Sequence, residues 1–251
     1  MAQDWNFASR AKGSSPLGTS MFIGLRSLDV LLQYALLTAG YGPYFIKLLG
    51  GRVISPFATF NSSSILGLGL SPYSATILAM AFGSALKQNL WITFVSEQRF
   101  PPPFALMISA FNSFFNTANT LVSLWSLTSN APTANASASF PLSFYLGCAL
   151  YGIGMFVEFW SEVQRAQFKA KPENKGKPYG GGFFGLATNV NYGGYTLWRT
   201  GYAMVAGGWA WGLFIGAMQG YDFISRAIPS MDQYTTEKVS AALPMDSRRM
   251  C

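Results

Sequence analysis

The sequence predicts an all-α integral membrane protein of about seven transmembrane helices, with five as the floor, enclosing a polar cavity that faces the cytosol. Three observations predict it. Half of the 251 residues are hydrophobic, only 11% are charged against roughly 25% in an ordinary soluble domain, and several apolar runs reach the roughly 20 residues a bilayer core requires.

Taken in order, residues 1–20 lack the apolar stretch of a cleaved signal and read as a disordered tail. Residues 21–239 form the membrane domain, and 240–251 a cytosolic tail. The expected spans are 27–49, 73–95, 103–127 and 140–161, each long enough at helical rise. A Ser- and Gly-rich run at 54–70 is a weaker candidate. The nearly continuous 191–226 reads as two short spans, 191–206 and 209–226, broken at Gly207 and Gly208.

The net charge of +7 does not point to nucleic acid, because the basic residues are spread between apolar blocks. Arg165, Lys169, Lys171, Lys175 and Lys177 crowd one loop at 163–178, which the positive-inside rule assigns to the cytosol. Seven spans then place the N-terminus outside. The uncharged loop 128–139 with a sequon at Asn135, and the basic tail residues Arg248 and Arg249, agree with that orientation; Arg10, Lys12 and Arg26 disagree, and favour an even count or a re-entrant 54–70. Histidine is absent and only Cys148 and Cys251 are present, which removes most metal, haem and Ser-His-Asp proposals and any disulfide framework.

Ionisable residues inside apolar runs are costly and therefore candidate functional groups. Lys87 reads as a side chain that snorkels to the cytosolic edge, and Asp29 as a carboxylate serving a helix start. Glu158 and Glu162 lie one turn apart, on a stripe that continues through Arg165 and Lys169. Tyr192, Tyr195 and Arg199 share another face, preceded by Asn189 and Asn191, and the two glutamates are the expected partners of Arg199. A charged cavity between these two helices, or a purely structural network, follows. The glycines at 180–182, 185, 193 and 194 match no phosphate loop, and read as a tight turn and close helix packing.

The text VEFWSEVQRAQFKAKPENKGKPYGGGFFGLATNVNYGGYTLWR, followed by RAIPSMDQYTTEKV, resembles the C-terminal domain of the steroid 5-alpha-reductase family, including its sterol reductase relatives. The resemblance covers 140–239, and more loosely WITFVSEQRFPPP and the Asn-rich 112–119. It implies seven helices, NADPH in a cytosol-facing cavity, reduction of a C=C bond in a lipophilic substrate drawn from the bilayer lipids, and, in a eukaryote, the endoplasmic reticulum membrane. By motif position Glu158, Glu162 and Lys169 correspond to cofactor-facing residues, and Asn191 with Tyr192 to an Asn-Tyr pair. The Arg-His-Pro that should precede that pair is Thr188-Asn189-Val190, so a cation and an imidazole are missing. The family's N-terminal Glu/Tyr pair has only Glu97, Tyr73 or Tyr34 as candidates.

For a reductase, Tyr192, Tyr195 and Glu158 are then the catalytic candidates, with Glu162, Arg165, Lys169, Asn191 and Arg199 holding the cofactor, and no metal. The missing Arg and His favour an alternative in the same cavity: an isomerase, cyclase or methyltransferase acting on an isoprenoid, with Glu158 or Glu162 as acid. A non-catalytic lipid-binding or scaffold protein is the third reading.

Overall fold

The computed structural model describes residues 12–54, 67–132, 139–174, 177–231, 233 and 236. They are helical: α1 (Pro16–Thr38), the short α2 (Tyr41–Leu48), α3 (Pro72–Leu90), α4 (Pro102–Leu124), α5 (Leu142–Ala170) and α6 (Val190–Asp222). Proline punctuates the starts: Pro16, Pro72 and Pro102 occupy first-turn positions, where the missing N–H costs nothing. Ser71 caps α3 by accepting the Ser74 N–H at 3.1 Å. A π-helical turn at Trp91–Val95 extends α3 to the end expected for its span.

The first span is displaced from expectation. Helix α1 begins at Pro16, inside the stretch read as a tail, and stops before Gly40, whose φ of +84° breaks the run; the apolar residues that follow form α2 as a separate element. Hydropathy alone does not register such a break. Helix α5 likewise runs on to Ala170, so the first part of the expected 163–178 loop is helical. The break in α6 falls where expected: Gly207 and Gly208 leave helical geometry, Gly208 at φ +69° and ψ −160°, a conformation open essentially to glycine.

Beyond the break the second half of α6 folds back along the first. A Cβ on Gly212 would strike Met204, one on Gly216 would lie 2.6 Å from the Thr200 hydroxyl, and the Phe223 ring stacks on Tyr192 with centroids 4.6 Å apart. Each pair sums to nearly the same residue number, the signature of an antiparallel hairpin. Helix α5 packs antiparallel on the first half with backbones in contact: a Cβ on Gly201 would sit 2.5 Å from the Gly147 carbonyl oxygen, and one on Gly194 2.6 Å from the Glu158 nitrogen. The expected close packing at Gly194 is thus present, and no cavity fits between these two backbones.

Contacts fix the direction of every run. Arg26 meets Ser84 and Gln88 of antiparallel α3, while Asp29 and Gln33 meet Asn116 and Thr120 of parallel α4. Among the described residues there are therefore six long alternating runs: α1, α3, α4, α5 and the two halves of α6. Residues 55–66 of the expected 54–70 span lie outside the described residues. Their flanks, Val53 bridged to Trp125 and Leu68 bonded to Tyr34, both stand at the end where α1 terminates. Consequently Lys12, tied to Glu97, stands at the same end as Arg99, Arg165, Lys169, Lys171 and Lys177, rather than opposite them as a seven-span count required. Asn135, Arg10, Lys175, Arg248 and Arg249 lie outside the described residues.

The side-chain distribution is inverted relative to a water-soluble bundle. Leu28, Leu31, Phe82, Phe114, Ile153, Leu213 and Phe214 are exposed on the helix flanks, while Arg26, Asp29, Gln33, Lys87, Asn112, Asn116 and Arg199 are buried. Two helices, Pro16–Thr38 and Leu142–Ala170, are long and apolar enough to cross a membrane. Helix α4 commits Ser109, Asn112, Asn116, Asn119, Thr120 and Ser123 to the interior.

The glycine contact gives a direct test in detergent. Gly201→Val should destabilise the protein by roughly 3 kcal/mol or more, because neither backbone can yield, whereas Gly193→Ala, with open space around it, should be neutral or slightly stabilising. Thermal denaturation of the two variants should separate them clearly.

Candidate active site

The buried charges assemble at about mid-height in the bundle, because each helix contributes residues from one face. On α1, Arg26, Asp29 and Gln33 recur at one-turn spacing. The Arg26–Asp29 pair is completely buried at 2.7 Å. Asp29 also accepts from Gln33 at 2.9 Å and from Asn116 at 2.7 Å, and Arg26 donates to Gln88 and Ser84. Charge and hydrogen bonds are thereby both satisfied, as an interior ion pair requires. Asp29 does not serve a helix start; it lies well inside α1.

On α4, Asn112 and Asn116 are one turn apart and face Arg199 of α6. The Arg199 guanidinium donates to Asn112, to Asn116 at 3.4 Å and to the Tyr195 hydroxyl at 3.1 Å, and lies 4.3 Å from the Trp198 ring centroid. It pairs with neither glutamate, contrary to expectation. Among the described residues no carboxylate lies within ion-pair distance of it.

Glu158 instead binds Lys87 of α3 and the Trp198 indole, both through Oε2. Lys87 is buried, with its ammonium 4.8 Å from the Trp198 ring; it turns inward because α3 and α5 run parallel there and present it to a carboxylate, so the snorkelling assignment is overturned. One turn further along α5, Glu162 accepts from Asn191 at 2.9 Å and pairs with Arg165. Lys169 is exposed in the last turn of α5. Tyr192 stacks on Phe223, whose edge meets Tyr195 at 5.4 Å.

The expected site residues thus fall into two groups. Glu158, Tyr195 and Arg199 join the buried cluster, with Lys87 and Trp198. Glu162, Arg165, Asn191 and Tyr192 gather nearer the basic end, and Lys169 lies beyond them. The stripes are closed by their own ion pairs rather than opening into a broad cavity; a hollow of about 680 Å³ lies elsewhere, beside Lys12, Ser15, Thr19 and Glu97. The candidates Tyr73 and Tyr34 are committed to backbone, Tyr73 donating to Val205 and Ala206 and Tyr34 to Leu68, while Glu97 holds Lys12 at the surface. Asn112, Asn116 and Trp198 were missed as site residues. The polar positions 109, 112, 116, 120 and 123, repeating along an otherwise apolar helix, were the available signal.

If the Arg26–Asp29 pair is the keystone of this cluster, removing one charge should cost far more than removing both. Asp29→Asn is expected to destabilise by about 3–5 kcal/mol through the stranded guanidinium, and Arg26→Met combined with Asp29→Leu to recover most of that loss. Melting temperatures of the single and double variants check it; equal losses would show the pair to be unimportant.

A family described as protein of unknown function (DUF1295), associated with steroid 5-alpha-reductase-like membrane proteins, matches residues 98–223. Over 240 residues the chain is 37% identical to a protein of Ustilaginoidea virens named probable O-methyltransferase ustE, spanning 94% of this chain and 84% of that one. No solved structure matches the chain. The matched family region takes in α4, α5 and both halves of α6, and with them Asn112, Asn116, Glu158, Glu162 and Arg199. The chain belongs to the DUF1295 family.

Proposed function

We propose that this protein is a multi-pass membrane enzyme that methylates an oxygen of a lipophilic small molecule, with S-adenosylmethionine as methyl donor. The bilayer setting is supported by the inverted surface: large apolar side chains face outward along the runs, charged groups face inward, and basic residues gather at one end, which the positive-inside rule makes cytosolic. Six crossings would place both Lys12 and the α5–α6 loop on that side.

One observation carries the choice of donor. The cations beside Glu158 and Glu162 are already bound, Lys87 to the first and Arg165 to the second, and Lys169 stands about 16 Å along α5 from Glu158. Among the described residues Arg199 is left as the buried cation without a carboxylate, too little positive charge for a pyrophosphate and a further phosphate together. S-adenosylmethionine bears one carboxylate, which suits Arg199, together with an α-ammonium and a sulfonium, and no phosphate. The name of the Ustilaginoidea virens relative supports the same reading.

When bound, S-adenosylmethionine supplies an electrophilic methyl group. The chain must position the acceptor hydroxyl and take its proton. Glu158 is suited to the proton, because both of its donors fall on Oε2 and leave Oε1 uncommitted. Trp198 donates its indole N–H to that carboxylate, and the Glu158 side chain keeps 20% of its surface exposed, so Oε1 is open to an acceptor. The reductase reading has the 140–239 resemblance in its favour, and would need Arg165 to leave Glu162 for the cofactor phosphates.

The test is ligand-dependent melting of the purified protein in detergent. S-adenosylmethionine and S-adenosylhomocysteine should each raise the melting temperature, and NADPH should not. Glu158→Gln should retain that shift but lose at least about 100-fold in methyl transfer, as expected for loss of a general base. Stabilisation by NADPH alone would replace this reading with the reductase.

A further inference from the structure

The seam between α4 and the α6 hairpin holds polar groups that the protein itself leaves unused. Phe115, Ala203 and Ile215 pack together where α4 and the two halves of α6 meet. One helical turn toward the basic end, the same three faces carry Asn112, Arg199 and Gln219, and a further turn along α4 brings Ser109. Gln219 and Ser109 are each only 3% exposed. The Gln219 Nε2 and the Ser109 hydroxyl have no hydrogen-bond partner among the described residues. Burying an amide donor and a hydroxyl without partners costs free energy that an apolar side chain would avoid. The adjacent Arg199 is a buried cation whose partners, Asn112, Asn116 and Tyr195, are all uncharged oxygens.

We infer that Arg199, Gln219 and Ser109 form a binding subsite for a carboxylate of the ligand. The donor inventory selects this chemistry. A guanidinium has five N–H groups, three of which are engaged here, so two remain, while helix register sets Gln219 at the level of Arg199 and Ser109 one turn along α4; a carboxylate offers about four lone-pair sites. Its single negative charge also matches Arg199, the one buried cation among the described residues without a carboxylate, whereas a phosphate dianion would overshoot it. Asn112 and Asn116 turn their carbonyl oxygens to Arg199, and so hold the guanidinium without neutralising it.

The carboxylate can come from the amino-acid end of a methyl donor or from an acidic lipophilic acceptor, and the subsite does not depend on methyl transfer being the reaction. Two matched pairs of probes separate the sources: S-adenosylmethionine against its decarboxylated analogue, and decanoic acid against decanol. Binding is measured by titration calorimetry on the full chain in detergent. The expected result is that the acid-bearing member of one pair binds at least about tenfold more tightly, and that Gln219→Leu removes this preference while raising the melting temperature of the ligand-free protein, because an unsatisfied amide has gone. The pair showing the preference identifies the source. Arg199→Lys, which keeps the charge but loses the planar fork, should weaken the same preference without moving the ligand-free melting temperature as far as Arg199→Met does. No preference in either pair, or a preference that survives Gln219→Leu, would overturn the subsite. The proposed methyl transfer would then stand or fall separately, on the S-adenosylhomocysteine shift.

Discussion

The Arg26–Asp29 ion pair at the centre of the bundle is the interaction on which the other contacts depend. Two charges removed from water in an apolar surrounding are tolerable only if each is neutralised and its remaining hydrogen-bonding capacity is filled. Meeting that condition recruits Gln88 and Ser84 from α3, Asn116 from α4 and Gln33 from α1 itself. Asn116 then faces Arg199, which draws α6 to the same level, and α6 is locked to α5 by glycines too small to hold the backbones apart. Helix order, register and site geometry are therefore parts of one arrangement. Moving any one of these helices by a turn would strand a charge.

The same logic explains how two chemically different regions coexist. Around Arg26, Asp29 and Asn116 the polar groups satisfy one another, a structural arrangement. Around Arg199 the accounting is incomplete among the described residues: the buried guanidinium has no counter-charge, and the Gln219 amide and the Ser109 hydroxyl lack partners. Incomplete satisfaction in a buried setting is what a ligand can complete. The boundary between scaffold and site falls along α4, where Asn116 contacts both.

Much of this was legible in the sequence, for physical reasons that can be named. Apolar length and proline placement set the ends of α3 and α4 closely, and the Gly207–Gly208 pair announced the α6 hairpin because no other residue type adopts that backbone easily. One-turn spacing put Glu158 and Glu162 on one face, and Tyr195 and Arg199 on another. Pairing across helices was not legible, since it depends on register: Lys87 with Glu158, and Arg199 with asparagines rather than glutamates, follow from which helices run parallel. Hydropathy also misplaced α1, because it averages across Gly40. Of the basic residues that fit an odd number of spans poorly, Lys12 stands at the basic end, whereas Arg26 is buried inside α1 and carries no topological information.

The arrangement requires apolar flanks that face lipid around a charged interior that lipid does not reach. Tryptophan quenching by brominated lipid tests it most directly, because Trp160 and Trp209 lie on exposed flanks and Trp198 is fully buried beside Glu158. In brominated phosphatidylcholine bilayers, replacing Trp160 and Trp209 by Phe should remove much of the lipid-quenchable emission, and the remaining emission should resist both bromolipid and aqueous iodide more strongly. If Trp160 and Trp209 are instead quenched by iodide and untouched by bromolipid, those flanks face water and the account is contradicted.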